Sequence, residues 1–258
     1  MNPLRAVLFD LGDTLWHFPR RPSGEELRRL GGERLARCFA EHGLAVEDPA
    51  ALWADVRDRL RALTRRAILD DALSLDYVEM VRAALATAGL PGDRALAEAA
   101  WGAWNLGGAA YGRELLAEAL PTLEQLTARG LFLGCVTNRA YGGPRFRAEL
   151  EECGLSRYFA TLQVSCDAGL RKPQPAIFLR AAADLGVAPE QTAVVGDSLR
   201  ADVWGAHRAG MWAVWRQPSS PAEEDRVWPV AEGDPSARPD LVVGSVADLL
   251  THPAFGGA

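Results

Sequence analysis

Residues 5–14 read Arg5-Ala6-Val7-Leu8-Phe9-Asp10-Leu11-Gly12-Asp13-Thr14, four consecutive apolar residues running into an acid and a polar turn. A short continuous apolar run predicts a strand covered on both faces, as in a parallel sheet. Asp10 then stands just past the strand's carboxyl end. That is where open α/β sheets bind their ligands.

Outward from this strand, residues 18 to 115 predict helix almost throughout. Ser23 with Glu26 makes a capping-box signature for a helix reaching Glu41, and Gly31-Gly32 predict a weak point or bend in it. Asp48-Pro49 starts a helix over Ala50 to Asp70. Two more helices fit Asp76–Ala88 and Arg94–Trp104. Trp101 and Trp104 lie three apart and predict a shared buried face. The arginines at 57, 59, 61, 65 and 66 are balanced by Asp55, Asp58, Asp70 and Asp71 and read as a solvated face. Gly107 to Gly112 reads as a return linker.

Beyond residue 115 the texture changes. Short apolar runs at Leu131–Val136, Thr161–Ser165, Thr192–Gly196, Trp212–Trp215 and Leu241–Val243 alternate with helix signals. Those helices fall near Pro121–Ala128, Pro144–Cys153, Pro175–Leu185 and Ala201–Ala209. Such alternation predicts a parallel α/β sheet, Rossmann-like, with an all-helical insertion after its first strand. Gln217 to Pro239, rich in Pro, Ser and acids, reads as a long surface loop.

Composition excludes several functions. The 258 residues carry a net charge of −6, and the pI is near 5.3, which gives no basic footprint for nucleic acid. No apolar run approaches the roughly 18–20 residues of a membrane helix. The N-terminus, Met1-Asn2-Pro3-Leu4-Arg5, does not read as a signal peptide. Cys38, Cys135, Cys153 and Cys166 show no metal or paired spacing and read as reduced thiols, which points to the cytoplasm. No phosphate-loop motif of the P-loop type is present. Of 28 basic residues, 27 are arginine, and the only lysine is Lys172. Arginine replaces lysine wherever a plain positive charge suffices, but not where a compact ammonium is needed.

The loops after the predicted strands carry chemically distinctive residues. Asp10-Leu11-Gly12-Asp13-Thr14 comes after the first strand and Thr137-Asn138 after the second. Arg171-Lys172-Pro173 comes after the third, and Gly196-Asp197-Ser198 with Asp202 after the fourth. Carboxylates from separate strands form a hard-oxygen site suited to Mg²⁺. A metal and a lysine neutralise a phosphoryl group, and a neighbouring carboxylate can attack it.

Those four loops resemble the motifs of the haloacid dehalogenase superfamily of hydrolases, in the branch with a helical cap inserted after the first motif. The family's DxDGT is matched as Asp10-Leu11-Gly12-Asp13-Thr14, its Ser/Thr as Thr137, and its K-P-x-P-x-x-F as Lys172 to Phe178. Its GDxxxxD is matched by Gly196, Asp197 and Asp202. The resemblance implies a core of residues 1–17 plus 116–258 and a cap of 18–115 that sets specificity. It implies a phosphatase acting on a small phosphorylated metabolite, with Asp10 forming an aspartyl-phosphate. It implies Mg²⁺ held by Asp10, the Gly12 carbonyl and Asp197, with Asp202 in the inner or second shell. Thr137 and Asn138 would donate to the phosphoryl oxygens, and Lys172 would pair with the phosphoryl group and Asp10. No resemblance or motif bears on the oligomeric state or the particular metabolite.

The first motif departs from the family. The acid that protonates the leaving oxygen is Gly12 here, and Asp13 stands one place later. Losing a general acid costs roughly 10²–10⁴-fold in rate. Three readings stand open: Asp13 substitutes, the substrate has a good leaving group, or the protein binds a phosphorylated ligand and turns it over poorly. Carbon–halogen or carbon–phosphorus hydrolysis on the same fold is a further alternative. Trp16 is expected to pack between core and cap, His17 to be no ligand, and Arg139 to be a solvated loop residue.

Overall fold

The computed structural model describes residues 3–70, 75–229 and 235–256. Met1, Asn2, Asp71 and residues 230–234 of the expected loop lie outside the described residues. The chain forms two compact units, one of residues 1–17 and 115–258 and the other Phe18–Glu114.

The first unit is built on a sheet that has six parallel strands among the described residues. They are β1 (Ala6–Phe9), β4 (Phe132–Thr137), β5 (Thr161–Val164), β6 (Thr192–Gly196), β7 (Trp212–Arg216) and β8 (Leu241–Val243), ordered β5-β4-β1-β6-β7-β8. Two-residue strands β2 (Trp16–His17) and β3 (Glu114–Leu115) stand where the chain leaves for the helical unit and returns. All four residues of β1 are buried, which explains the unbroken apolar run. Ile177, Phe178, Ala181 and Ala182 of α8 (Pro175–Leu185) pack with Leu8, Val136 and Val194 into one core. Further helices are α5 (Ala119–Ala128), α6 (Gly143–Glu152), α7 (Ser165–Ala168), α9 (Gly205–Arg208) and α10 (Glu223–Val227).

Register delivers the four loops to one edge. Phe9 lies beside Cys135 on one side and Val195 on the other. One residue further on β1 is Asp10. Two further on the flanking strands are Thr137 and Asp197. β1 is flanked by strands that run off in opposite directions along the sheet, the arrangement that opens a crevice at the carboxyl ends.

The second unit contains α1 (Gly24–Glu41), α2 (Pro49–Leu69), α3 (Tyr77–Thr87) and α4 (Arg94–Trp104). Each start is capped as its sequence directs: the side chains of Ser23, Asp48, Asp76 and Asp93 each accept from the backbone N–H three residues on. Trp53, Trp104, Trp101 and Tyr77 stack in sequence, with centroid separations of 5.6, 5.1 and 5.4 Å. Trp53 Nε1 donates to the Trp104 carbonyl at 3.1 Å, and Trp104 Nε1 donates to the Trp53 carbonyl at 2.9 Å. Gly31 and Gly32 do not interrupt α1. A Cβ on Gly31 would lie 2.2 Å from Trp53 Nε1, so these glycines let α2 approach closely. Arg59–Asp55 (2.7 Å) and Arg57–Asp58 (3.3 Å) pair along α2.

Candidate active site

The ladder of β1 continues one step past the strand, where Asp10 N donates to the Val195 carbonyl at 2.9 Å. That bond fixes the Asp10 backbone between the second and fourth loops. The Lys172 ammonium donates to Asp10 Oδ1 and to Asp202 Oδ1, both at 2.7 Å. Lys172 is only 2% exposed, and Asp10, Asp197 and Asp202 are all buried. Each of the three acids offers an oxygen within 4.8 Å of the other two.

Local structure explains the spacing of the fourth loop. Residues Leu199–Trp204 wind as a π-helical stretch, with Val203 N bonded to the Ser198 carbonyl at 3.2 Å. Such wide turns recur at functional sites. Asp202 folds back over the end of β6, where its Oδ2 accepts from Ser198 N at 3.1 Å. A Cβ at position 196 would lie 2.1 Å from the Asp202 carboxyl carbon, so only glycine leaves that acid room. The Asp197 carbonyl is held from β7 by Trp215 Nε1 at 2.8 Å.

The electrostatics are unbalanced. Burial, then the like charges of Asp10 and Asp202, push Asp197 far above the usual carboxylate range. Burial also raises Asp202, against the pull of Lys172. For Lys172, burial favours the neutral amine, but Asp10 and Asp202 reverse this and hold it charged. Fully ionised, three buried acids against one ammonium would leave two negative charges, which is why two of the acids hold their protons so strongly. This donor set fits a hard divalent cation.

Asn138 turns inward along the sheet edge. Its side chain brackets the Lys172 backbone, with Nδ2 donating to the carbonyl at 3.1 Å and Oδ1 accepting from the amide at 3.0 Å. These two bonds brace the lysine loop and use one of the two Nδ2 protons. Thr137 is buried at the end of β4, beside Val164.

Although its charge reaches Asp197, Asp13 is not one of the three clustered acids. It is exposed, with a left-handed φ of 46°, and its carbonyl accepts from Arg216 Nη1 at 2.9 Å. It lines a cleft of about 410 Å³ with His17, Arg216, Gln217 and Ser219. At position 12 a Cβ would meet only Asp10 Oδ2, at 4.0 Å. A side chain there has room and would face Asp10.

Arg139 is not a solvated residue. It is half-buried, with its guanidinium over the rings of Tyr141 and Phe146 at 4.6 Å each and Trp16 at 5.4 Å. It donates to the Tyr141 hydroxyl, which donates in turn to Glu149 at 3.0 Å. Ser165 fixes the Arg139 backbone on both sides, accepting from its N–H at 2.9 Å and donating to its carbonyl at 3.0 Å. Trp16 is fully buried and meets the edge of Phe146. Arg139 carried no sequence signal, being one arginine among many. Nor did Asp225, which lies in an acidic run yet bonds the opening of the Asp202 turn through Ser198 and Arg200.

Comparison with known proteins identifies the family. A family model for haloacid dehalogenase-like hydrolases matches residues 4–210. A phosphoserine phosphatase from Thermus thermophilus is 34% identical, covering 98% of this chain and all of that protein. A phosphoglycolate phosphatase from Escherichia coli K12 is 33% identical over 98% of this chain and 93% of its own. A solved 2-haloacid dehalogenase from Pseudomonas syringae superposes with a TM-score of 0.62 at 26% identity, covering 96% of this chain and 97% of that one. The chain belongs to the haloacid dehalogenase-like hydrolases, and it is an enzyme of that family.

Proposed function

We propose that this chain is a Mg²⁺-dependent phosphatase of a small phosphorylated metabolite, working through an aspartyl-phosphate on Asp10. The observation that carries the reading is the buried Lys172 ammonium between Asp10 and Asp202, with Asp197 in reach of both. Asp10, Asp197 and Asp202 would hold the metal, together with the Gly12 carbonyl, as the family resemblance implies. Bound there, Mg²⁺ supplies positive charge opposite the phosphoryl oxygens. The phosphatase relatives from Thermus thermophilus and Escherichia coli support the substrate class.

The chain's own groups divide the work. Lys172 pairs with Asp10 and offers its remaining proton to a phosphoryl oxygen. The Asp10 carboxylate attacks phosphorus, and the P–O bond to the leaving group breaks as the new one forms. Water then attacks phosphorus, releasing inorganic phosphate and restoring the carboxylate. Thr137, at the end of the neighbouring strand, is the hydroxyl donor to the phosphoryl group. Asn138 holds the lysine loop in register.

The position of Asp13 bears on the leaving group. Arg216 fastens the Asp13 backbone carbonyl in an exposed turn, and Asp13 is not one of the three clustered acids. This favours the reading in which the natural leaving group needs little protonation, such as an acyl or sugar-1-phosphate. The family's dehalogenase chemistry uses no metal, and the clustered acids Asp197 and Asp202 argue against it. The test is phosphate release from an aryl phosphate with and without Mg²⁺. Mg²⁺-dependent release lost in Asp10→Asn supports the proposal. Release that survives Asp10→Asn contradicts it.

A further inference from the structure

We propose that residues 216–228, the last residue of β7 and the segment that follows it, brace the acid cluster, and that Asp225 is the positioning residue for the Asp197–Asp202 turn. The proposal rests on the reading of Asp197 and Asp202 as metal ligands.

This segment is Pro-, Ser- and acid-rich and reads as a solvated loop. It instead docks on three of the four loops at the sheet edge. At its start, Arg216 Nη1 donates to the Asp13 carbonyl at 2.9 Å. On α10, Glu224 accepts from Arg171 Nη2 at 3.1 Å, next to Lys172, and both partners are little exposed. Past α10, the guanidinium of buried Arg200 lies 3.3 Å from the centroid of Trp228.

Asp225 makes the closest of these attachments. Its carboxylate accepts from Ser198 Oγ at 2.9 Å, Leu199 N at 2.9 Å and Arg200 N at 2.8 Å. Those are the opening donors of the turn that carries Asp202. A carboxylate on backbone N–H groups at the start of a helical turn makes charge-assisted bonds, about twice as strong as neutral ones. Ser198 relays the contact: its amide donates to Asp202 Oδ2, and its hydroxyl accepts from Ala201 N at 2.9 Å. With all three acids ionised and only the Lys172 ammonium among them, carboxylates within 4.8 Å of one another repel. A fastening on the outer side of the turn opposes that repulsion and keeps the oxygens convergent before a cation arrives. Groups that orient metal ligands from behind cost roughly 10–100-fold in metal affinity or activity when removed.

The test compares wild type, Asp225→Ala and Asp225→Asn by titration calorimetry with Mg²⁺ and, without metal, by amide hydrogen exchange. Asp225→Ala is expected to weaken Mg²⁺ binding about 10–100-fold. It is also expected to speed exchange across residues 198–204 while β1 and the helical unit exchange as before. Asp225→Asn keeps one acceptor oxygen and is expected to fall between. Wild-type Mg²⁺ affinity in both variants, or unchanged exchange across 198–204, overturns the brace. Failure of the phosphatase reading shows elsewhere, as phosphate release that survives Asp10→Asn.

Discussion

A guanidinium cannot stand where the Lys172 ammonium stands. Two carboxylate oxygens lie 2.7 Å from one nitrogen, in a site with almost no solvent exposure. A planar fork would have to push Asp10 and Asp202 apart. Lys172→Arg is therefore expected to keep the charge and lose at least about 10²-fold in phosphatase turnover. Near-normal turnover would return Lys172 to an accident of an arginine-rich composition. Position 12 makes the opposite prediction. A Cβ there has space and faces Asp10 Oδ2, so Gly12→Asp is expected to fold normally. It is expected to raise turnover of alkyl phosphates by about 10²-fold or more, with less effect on aryl phosphates. Asp13→Asn is expected to leave alkyl turnover unchanged. A loss of about 10²-fold in Asp13→Asn would instead make Asp13 the acid. Asp10, Lys172, Asp197 and Asp202 were legible in the sequence because each comes after a strand in a recognisable motif. The partners of Asn138 and Arg139 were not. The Lys172 backbone and the Tyr141, Phe146 and Trp16 rings reach them only through the fold.

Among the helices and strands, sequence periodicity conveys which segments bury a face, not what they bury it against. The helix starts were legible because Ser23, Asp48, Asp76 and Asp93 are cap residues that act locally. The role of Gly31-Gly32 was not, because the reason lies on α2. Trp53 is fully buried and tied to Trp104 by reciprocal hydrogen bonds, so it cannot retreat from an added methyl. Gly31→Ala improves intrinsic helix propensity by about 1 kcal/mol, yet the clash with the indole costs about 1–3 kcal/mol. A net loss of stability is expected in urea unfolding followed by tryptophan fluorescence. A stabilised variant would contradict the close crossing. The strands were legible individually, but not their order β5-β4-β1-β6-β7-β8, which depends on long-range pairing. α10 has only five residues, too few to show a period, so its docking was hidden in what read as loop.

For the whole molecule, the acid cluster is expected to make stability depend on pH and, with the proposed ion, on Mg²⁺. Asp197 and Asp202 have folded-state values raised by burial and by neighbouring charge. A raised carboxylate binds its proton better folded than unfolded. The stability this contributes is present in acid and is lost as pH rises from about 4 through the raised values. Mg²⁺ bound among these acids, as proposed, would take the place of those protons. Its addition is therefore expected to raise the Tm more at about pH 8 than at about pH 5.5. An equal rise at both would contradict the placement of the ion among these acids. Family membership rests on the length of the match, residues 4–210, and the parallel sheet was legible from alternating strand and helix signals. The proposed catalysis stands or falls on a covalent bond to Asp10. Mass spectrometry of the peptide containing Asp10 reads that bond, after rapid acid quench of the enzyme turning over an aryl phosphate with Mg²⁺. A phosphoryl group is expected on Asp10 and is expected to be absent from Asp10→Asn. Turnover with an unmodified Asp10 at every quench time, or a phosphoryl group on another residue, would contradict it.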